Sequence, residues 1–371
     1  MNTTTPEPHD ATPGPDARLA ELRALIDDTD RKLLRLLDQR IEFAVRTARL
    51  KTAVTDSGRE AEVLNNVRGA AYGLLSAGFI TALYASIIDE GKRLQSHRPR
   101  LAGFQGEHGA WSEMAVDRWD PTLVPVPCRT FADVFEGVAD GSFDRGLVPV
   151  ENSLGGAVVE VSDLLIETRL SAVGEVRVPV RQCLLALPGT EVTDIRTVFS
   201  HPQALAQCRH FIAQRGLDAQ PFFDTAGAAR WLMFEGRRGV GVIASPLAAS
   251  LYGLNVLAHD IADLPGNETR FLVLARELYT GQADKGTLVL TTDDRAGALM
   301  QALSAFATHR VNLSRLESRP NRGAGGRYTF LVDFEGGPGS DDVARALSAL
   351  TAQGVSYKVV GFYQAGARTA A

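Results

Sequence analysis

The pattern of apolar and polar positions divides the chain into three parts with different periods. Between residues 18 and 96 apolar side chains recur at helical spacing. The pattern is interrupted at "TDSG" (55–58) and weakened by the glycines that follow. We therefore predict three helices, from Asp16 to Lys51, from about Arg59, and from Phe79 to Gln95, followed by a linker at "SHRPR" (96–100).

Short apolar runs alternate with helical stretches in the second part, which is an α/β pattern. The predicted strands are "RLAGF" (100–104), "RGLVPV" (145–150), "QCLLAL" (182–187), "TVFS" (197–200), "GVGVIA" (239–244) and "RFLVLAR" (270–276). The third part has the order βαββαβ, which is the ferredoxin-like α+β arrangement. We therefore expect a multidomain protein, with an all-α domain at 18–97, an α/β domain at 100–277 and an α+β domain at 285–365.

Composition narrows the class of protein. The 371 residues are 45% hydrophobic and 22% charged, as in ordinary globular proteins, and the net charge of −5 offers no basic surface for nucleic acid. Residues 1–17 lack the features of a signal peptide, and we predict a disordered tail there. No apolar stretch approaches the roughly 20 residues of a membrane span. The three cysteines and seven histidines show no metal-ligand spacing, so we expect reduced thiols, a cytoplasmic location, no metal and no cofactor.

The first helix carries two cations on its apolar face. At about 100° per residue, one narrow arc contains Leu22, Ile26, Leu33, Leu37, Arg40, Ala44 and Lys51. Cations are enclosed at low cost only together with an anion, so this face predicts a pocket for a small dianion. Arg40 and Lys51 lie about 16 Å apart along the axis, whereas Arg23 is roughly 25 Å from Arg40. If Arg23 serves the same site, it comes from a second chain, and an intertwined helical dimer follows.

Other polar residues fall near the same pocket. Gln95 lies on a mostly apolar face of the third helix, and "DSGRE" (56–60) supplies Asp56, Arg59 and Glu60 at a helix start, where either Asp56 or Ser57 can cap the helix. The simpler alternative is that the cations extend into solvent and that Glu60 is only a first-turn acid. The combination of Arg40, Lys51 and Gln95 favours the pocket.

Residues 18–96 resemble the all-helical chorismate mutases. The matching motifs, in order, are "LRALIDDTDRKLLRLLDQR" (22–40), "RLK" (49–51), "DSGRE" and "IIDEGKRLQ" (87–95). The resemblance implies that Arg40 and Arg23 of the partner subunit hold the carboxylates of chorismate. It further implies that Lys51 and Gln95 donate to the ether oxygen, that Asp56 and Glu60 lie near the ring hydroxyl, and that Arg59 supports the site. Gly91 stands where that family often has a small hydroxylated residue, so reduced mutase activity is one expectation.

Three clusters in the second part place hydroxyls and amides at strand ends and helix starts, where α/β domains usually bind ligands. They are "ENSLGG" (151–156), "FSHPQALAQC" (199–208) and "NETRF" (267–271). Each alone could be a set of capping and turn residues, but three at corresponding places favour a ligand site. A glycine-rich turn within "GFQGEHGAWSEMA" (103–115) adds a weak signal for anion binding.

Together these clusters resemble prephenate dehydratase. The resemblance implies two lobes arranged as in a periplasmic binding protein, residues 101–178 with 259–277 and residues 179–258, with the substrate between them. It makes Thr269 the main catalytic residue, assisted by Asn152, Ser200 and Gln207. The residues implied to line the cleft are Ser112, Glu151, Ser153, Gln203, Arg270 and Phe271. A hydrogen-bond donor beside the leaving hydroxyl would assist the elimination, and aromatisation supplies much of the driving force.

The third part resembles the ACT domain of phenylalanine-regulated enzymes, through "DRAGALMQAL" (294–303) and "LESRP" (316–320). The resemblance implies L-phenylalanine bound between two such domains. The residues implied to lie near it are Gly297, Ala298, Leu299, Glu317, Ser318, Arg319 and Pro320. Without that context, a turn glycine and charges at a strand edge would explain these motifs equally well.

The resulting hypothesis is an enzyme of phenylalanine biosynthesis. It would rearrange chorismate to prephenate, convert prephenate to phenylpyruvate, respond to L-phenylalanine by feedback inhibition, and form a homodimer or larger homo-oligomer. Two alternatives stay open: a dehydratase whose helical domain only dimerises, and a non-catalytic aromatic-amino-acid sensor with a binding-protein fold.

Overall fold

Three helices form the N-terminal part of the computed structural model, which describes residues 14–51, 55–70, 73–320 and 327–367. They are α1 (Pro15–Thr47), α2 (Ser57–Gly69) and α3 (Ala77–Ser96). Asp56 caps α2 by accepting a hydrogen bond from the backbone N–H of Arg59 at 3.0 Å. The prediction of a disordered tail over residues 1–17 is wrong for residues 15–17, because α1 begins at Pro15. The fixed φ of proline suits the first turn of a helix. Residues 1–13 and the "NRGAGG" loop lie outside the described residues.

The apolar face of α1 is exposed over its N-terminal half. Leu22, Ile26 and Leu33, predicted to be buried, are 51–59% exposed, whereas Val45 near the C-terminal end is buried. Within one chain, α1 packs against α3 and the α/β domain only through its C-terminal half. Exposed apolar stripes of this kind are typical of interaction surfaces.

The α/β part is divided into two lobes, each built on its own sheet. Its strands are β1 (Leu101–Gln105), β2 (Val124–Cys128), β3 (Arg145–Asn152), β4 (Gly156–Ala157), β5 (Ser171–Pro179), β6 (Cys183–Ala186), β7 (Thr197–Ser200), β8 (Asp218–Pro221), β9 (Val240–Ala244), β10 (Asn255–Ala258) and β11 (Glu268–Ala275). Its helices are α4 (Trp111–Trp119), α5 (Phe131–Ala139), α6 (Val159–Glu167), α7 (Pro202–Gln207), α8 (Arg209–Gln214), α9 (Thr225–Glu235) and α10 (Pro246–Tyr252).

The first lobe has the strand order β2-β1-β3-β11-β5, with β4 paired to β3, and the second has the order β10-β6-β9-β7-β8. Because β11 returns to the first sheet, the chain crosses between the lobes twice, at residues 180–182 and 259–267. The two crossings are tied together by a hydrogen bond from Val180 N–H to the Asn267 carbonyl at 2.8 Å. Thr269, at the start of β11, therefore lies beside the hinge between the lobes.

The C-terminal part has the βαββαβ order. Its elements are β12 (Lys285–Asp293), α11 (Ala298–Thr308), β13 (Leu313–Pro320), β14 (Arg327–Glu335), α12 (Asp341–Ala352) and β15 (Ser356–Tyr363). The sheet is antiparallel with the order β13-β14-β12-β15, which is the ferredoxin-like arrangement. One face packs against α11 and α12, and the other joins the core of the first lobe.

Polar contacts attach the helical part to the first lobe. Arg49 near the end of α1 forms an ion pair with Asp144 at 2.5 Å. His108 lies between Glu42 of α1, at 3.0 Å, and Glu113 of α4, at 2.9 Å. Burial alone would lower the pKa of His108, but hydrogen bonds to Glu113 and Glu42 raise that pKa to about 9. His108 is therefore a protonated bridge between the two domains at neutral pH.

None of the helices among the described residues is long and apolar enough to span a membrane.

Candidate active sites

A pocket of about 410 Å³ lies between the three N-terminal helices. It is lined by six of the seven residues predicted to bind chorismate, namely Arg40, Lys51, Asp56, Arg59, Glu60 and Gln95. Arg23, the seventh, is exposed on α1 and does not line the pocket. This separation is the one that the length of α1 requires, since Arg23 lies almost five helical turns before Arg40.

The charges in this pocket are unevenly paired. Within the described part of the chain, Arg40 and Lys51 have no carboxylate partner, although both line the pocket. By contrast, Arg59 pairs with Glu62 at 2.7 Å, outside the set of predicted ligands. The pocket can therefore offer two uncommitted positive charges to a small anion.

Gln95 is buried and held by the first helix. Its Nε2 donates to the Ala44 carbonyl at 2.5 Å and to Thr47 Oγ1 at 3.3 Å. Both amide protons are thus directed at α1, so a role as donor to a ligand requires the side chain to release one of these bonds. The sequence placed Gln95 on the correct face and gave no indication of this contact.

Two further residues shape the pocket. Lys92, which sequence reasoning missed, lines it and pairs with Glu60 at 3.0 Å and with Asp89 at 2.9 Å. Gly91 is buried where α3 meets α1, and a Cβ there would lie 3.4 Å from Ala44 Cβ. That distance is an ordinary contact, so the packing of α3 on α1 leaves room for a small side chain at Gly91.

The second candidate site lies at the start of β11, beside the end of β3. Thr269 and Asn152 are in register on these antiparallel strands, and Asn152 Nδ2 donates to Thr269 Oγ1 at 2.9 Å. The Asn152 Oδ1 accepts the backbone N–H groups of Leu154 at 3.1 Å and Gly155 at 2.7 Å. These two donors fix the orientation of the Asn152 amide, so Thr269 must accept from Asn152 and retains its own hydroxyl proton for another acceptor.

A chain of amides continues this arrangement into the hinge. Asn152 Nδ2 also donates to Asn267 Oδ1 at 2.7 Å, and Asn267 Nδ2 donates to Gln207 Oε1 at 3.2 Å. Gln207 Oε1 accepts a second bond from Gln182 Nε2 at 3.1 Å. The orientation set at Asn152 therefore propagates through Asn267 and Gln207 to Gln182, whose buried Oε1 has no partner among the described residues.

Sequence reasoning found Asn152, Gln207 and Thr269 but missed Asn267 and Gln182. Asn267 was visible as the first residue of "NETRF", two positions before Thr269. Gln182 carried no signal, because its role depends on the first crossing between the lobes meeting the second.

Three residues predicted to belong to the cleft are buried elsewhere. Ser200 is fully buried, and its hydroxyl donates to the Ile243 carbonyl at 2.5 Å. Phe271 is 1% exposed and packs in the core beneath α4. Arg270 is 2% exposed and forms ion pairs on the opposite face of β11. Alternation along a strand explains the last case, since neighbours of Thr269 on β11 must face away from it.

The remaining predicted cleft residues lie at the same edge of the fold. Ser153 Oγ accepts the Glu268 N–H at 2.9 Å, which ties the loop after β3 to the strand carrying Thr269. Gln203, on the second lobe, approaches so closely that a Cβ on Gly155 would overlap its Nε2. Glu151 is half exposed and accepts from Arg270 Nε at 3.3 Å. Ser112 is in the first turn of α4 and is mostly buried.

Three amides of the glycine-rich turn before α4 are engaged within the protein. The N–H groups of Gly106, Glu107 and Gly109 donate to the Cys128 carbonyl, Asp224 Oδ2 and Glu113 Oε2, respectively. Among the described residues, no cluster of three or more histidine, cysteine, aspartate or glutamate side chains could hold a metal ion.

Comparison with known proteins decides the family. The family model described as chorismate mutase type II matches residues 22–96, and the one described as prephenate dehydratase matches residues 102–278. A bifunctional chorismate mutase/prephenate dehydratase from Enterobacter agglomerans is 34% identical over 94% of this chain and 96% of its own length. The chain belongs to the bifunctional chorismate mutase/prephenate dehydratase family.

Further relatives cover the part of this chorismate mutase/prephenate dehydratase beyond the helices. An arogenate dehydratase/prephenate dehydratase from Arabidopsis thaliana is 41% identical over 72% of this chain and 73% of the relative. The crystal structure of a prephenate dehydratase from Arthrobacter aurescens in complex with L-Phe has a TM-score of 0.66 and 34% identity, covering 73% of this chain and 92% of that one. The chain is thus an enzyme with an isomerase domain on α1–α3 and a lyase domain on the two lobes.

The C-terminal domain of the chorismate mutase/prephenate dehydratase lies outside both matched ranges. Gly297 caps α11 with φ +80°, and Ala298 and Leu299 begin that helix. Ser318 is exposed on β13, whereas Glu317 and Arg319 face the other way, toward α6. Pro320 ends β13.

The contacts of Glu317 and Arg319 correct the predicted grouping of these residues. Glu317 accepts from Ser162 Oγ at 2.9 Å, and Arg319 pairs with Asp163 at 2.7 Å. Strand alternation therefore divides the predicted phenylalanine residues between a face beside α11 and a face against the dehydratase lobe.

Proposed function

We propose that the helical pocket rearranges chorismate to prephenate, that the cleft beside Thr269 converts prephenate to phenylpyruvate, and that L-phenylalanine inhibits the enzyme through the C-terminal domain. The observation that carries the proposal is the paired geometry of Asn152 and Thr269, in a chain whose helical pocket also holds two unpaired cations. The three described cysteines are free and buried, which suits the reducing cytoplasm that we expect for this enzyme.

Claisen rearrangement of chorismate needs a compact conformer and a donor at the ether oxygen, where charge develops as the C–O bond breaks. Arg40 is placed to hold a carboxylate, and Lys51 is the uncommitted donor for the ether oxygen. Gln95 would reinforce Lys51 after exchanging its bond to Thr47. Asp56, Arg59 and Glu60 close the end of the pocket formed by α2.

A second copy of the chain would complete this pocket. The arginines among the described residues that line the pocket are Arg40 and Arg59, and Arg59 pairs with Glu62. Chorismate carries two carboxylates, so a second guanidinium is required for a balanced site. The exposed apolar stripe of α1 offers the surface along which Arg23 of the partner subunit would reach the pocket. A homodimer or larger assembly follows from this arrangement.

Conversion of prephenate to phenylpyruvate breaks two bonds. The ring carboxylate leaves as CO₂, its bonding electrons enter the ring, and the ring C–O bond breaks. The departing hydroxide takes up one proton from solvent and leaves as water. Thr269 accepts a hydrogen bond from Asn152 and can donate its own proton toward the leaving hydroxyl. Because a free threonine hydroxyl is a weak acid, its contribution is a positioned hydrogen bond, and the amide chain to Gln207 holds it in place.

The regulatory proposal is supported by the ferredoxin-like C-terminal domain and by the Arthrobacter aurescens prephenate dehydratase in complex with L-Phe. The start of α11, at Gly297, Ala298 and Leu299, together with Ser318, would supply backbone groups and an apolar side chain for the amino acid. Glu317 and Arg319 are paired with α6 on the opposite face of β13, so their effect on the amino acid would be indirect. Pro320 ends the same strand.

A two-substrate assay tests the whole proposal. We expect the purified chain to consume chorismate, to release phenylpyruvate from added prephenate, and to lose dehydratase activity when L-phenylalanine is added. A chain that forms phenylpyruvate from prephenate but does not consume chorismate would favour a dehydratase whose helical domain only dimerises. Binding of prephenate without phenylpyruvate release would favour a sensor.

A further inference from the structure

Thr269 and Arg270 are neighbours on β11 that serve opposite faces of the sheet. Thr269 and Phe271 lie on the side of α4, where Phe271 joins the core beneath that helix. Arg270 lies on the side of Leu272 and Leu274, which pack in the core shared with the C-terminal domain. The residue next to the proposed catalytic hydroxyl therefore points at the C-terminal domain.

The guanidinium of Arg270 is fully engaged by three carboxylates. Its Nε contacts Glu151 Oε2 at 3.3 Å, its Nη1 contacts Glu175 Oε2 at 3.0 Å, and its Nη2 contacts Asp333 Oδ2 at 2.5 Å. Glu151 belongs to β3, Glu175 to β5 and Asp333 to β14 of the C-terminal domain. Each of its three nitrogens is paired, and because the side chain is only 2% exposed, the remaining N–H groups are not accessible to a substrate carboxylate.

Asp333 is a buried, ionised carboxylate whose two oxygens are both held in place. It is completely buried, and its second oxygen accepts from Thr287 Oγ1 at 2.7 Å. Burial alone would raise the pKa of Asp333, but the charge of Arg270 holds that pKa below its usual value. Lys285, also from the C-terminal domain, pairs with Glu175 at 2.6 Å, so the C-terminal domain contributes one cation and one anion to this cluster.

The strand register connects this cluster to Thr269. Arg270 pairs with Glu151 across β11 and β3, directly beside the pair formed by Thr269 and Asn152. One peptide unit separates the two pairs, so a displacement of Arg270 is carried to Thr269. Gly361 on β15 is so close to the Ala172 carbonyl of β5 that a Cβ would overlap it, and the two domains thus meet backbone to backbone near the cluster.

We propose that Arg270 is a positioning residue for the dehydratase step and that Asp333 of the C-terminal domain completes its support. The inference rests on the role of Thr269 in the proposed function. It makes the C-terminal domain a structural component of the dehydratase site, so that any movement of its sheet is transmitted to the Thr269 hydroxyl through one ion pair.

Asp333→Asn in the full chain is the decisive variant, since it removes the charge and keeps the shape. We expect kcat for prephenate to fall between about tenfold and a hundredfold, while KM stays within about threefold, as for loss of a group that acts only on transition-state geometry. Thr287→Val, which removes only the hydroxyl that holds Asp333, should lower kcat by about two- to threefold. Chorismate turnover by the same preparations reports whether the helical domain is intact.

Lys358→Met is the matched control. Lys358 joins the same two domains by donating to the carbonyls of Ile166 at 2.6 Å and Thr168 at 2.8 Å, and it makes no contact with β11. Its kcat for prephenate should equal that of the wild type, and a fall like that of Asp333→Asn would overturn the proposal, because any weakening of the interface would then suffice.

Two other results would overturn it. One is an unchanged kcat in folded Asp333→Asn, and the other is a raised KM at unchanged kcat, which would make Arg270 a substrate ligand. If Asp333→Asn does not fold, Thr287→Val decides, and an unchanged kcat in that variant overturns the proposal. Thr269→Ala is measured alongside: full dehydratase activity there would refute the proposed role of Thr269, which is a separate failure.

Discussion

Asn152 Nδ2 donates a hydrogen bond of 2.9 Å to Thr269 Oγ1 across two antiparallel strands, and backbone N–H groups fix the direction of that bond. The direction matters chemically. A hydroxyl that accepts from an amide keeps its proton for another acceptor, and the leaving hydroxyl of the substrate is such an acceptor. The predictions below follow from this geometry and from that of the helical pocket.

Thr269→Ala should lower kcat for prephenate by at least about a hundredfold, the usual loss when a positioned donor is removed. Thr269→Ser, which retains the hydroxyl, should keep a large part of the activity. Steady-state assay of phenylpyruvate release checks both variants, with chorismate turnover as the internal control. Equal losses in the alanine and serine variants would show that the hydroxyl is not the group that acts.

Asn267→Leu should lower kcat for prephenate by about tenfold with little change in KM, because Asn152 loses the acceptor that helps to orient it. Gln220→Ala is a matched amide control, since Gln220 is on the outer strand β8 and bonds Asp218 of the same strand. Steady-state kinetics of both proteins make the comparison. A rise in KM at constant kcat would instead indicate that Asn267 binds substrate.

Subunit complementation tests the shared helical pocket. Arg23→Ala and Lys51→Met should each abolish most mutase activity, whereas their co-expression should restore about a quarter of it. Half of the dimers are then mixed, and one of the two pockets in each mixed dimer carries both Lys51 and Arg23. Recovery is measured as chorismate turnover of the whole co-expressed preparation, and mixed dimers purified through two different tags should show about half of the wild-type turnover. A mixed dimer as inactive as its parents would place Arg23 outside the pocket.

The His108 bridge predicts a pH-dependent stability. Hydrogen bonds to Glu113 and Glu42 raise the pKa of folded His108 to about 9, against burial, which lowers it. Because the pKa of His108 is higher in the folded chain than the unfolded value of about 6.5, protonation of His108 stabilises the fold fully below that unfolded value. This stabilisation is lost as the pH rises through the folded pKa. The Tm of the wild type should therefore exceed that of His108→Gln most at about pH 6, and the gap should close above about pH 9.

His97→Gln, at an exposed ring after α3, is the control for that titration. A Tm difference for His108→Gln that did not vary with pH, or that widened as the pH rose, would contradict a protonated bridge.

Much of the fold could be predicted from periodicity, because each predicted strand carries an apolar run and each predicted helix an apolar face. β5 was missed for a specific reason. Its "SAVGEVRVP" contains Glu175, and a charge inside an apolar run resembles a surface position. Arg270 and Lys285, which come from distant parts of the chain, pair with Glu175 and compensate its burial.

The candidate sites could be predicted only in part, because some of their contacts also come from distant parts of the chain. Motifs and helix geometry identified Arg40, Lys51, Asn152 and Thr269, because each of them lies in a recognisable local sequence pattern. They assigned Ser200, Phe271 and Arg270 to the cleft because motif residues are contiguous, whereas strand side chains alternate and one face of β11 is covered by another domain. The exposed stripe on α1 shows the same limit, since in the proposed dimer a second chain would cover it.

The central claim is that one chain holds two independent catalytic sites, one using Lys51 and the other Thr269. The most direct test is a crossed assay of Lys51→Met and Thr269→Ala with chorismate and then prephenate, with Lys32→Met, whose ammonium pairs with Asp28 elsewhere on α1, as the control. We predict that Lys51→Met loses chorismate turnover and still forms phenylpyruvate from prephenate, whereas Thr269→Ala accumulates prephenate from chorismate. Full chorismate turnover by Lys51→Met, or phenylpyruvate formation by Thr269→Ala at the wild-type rate, would contradict the account.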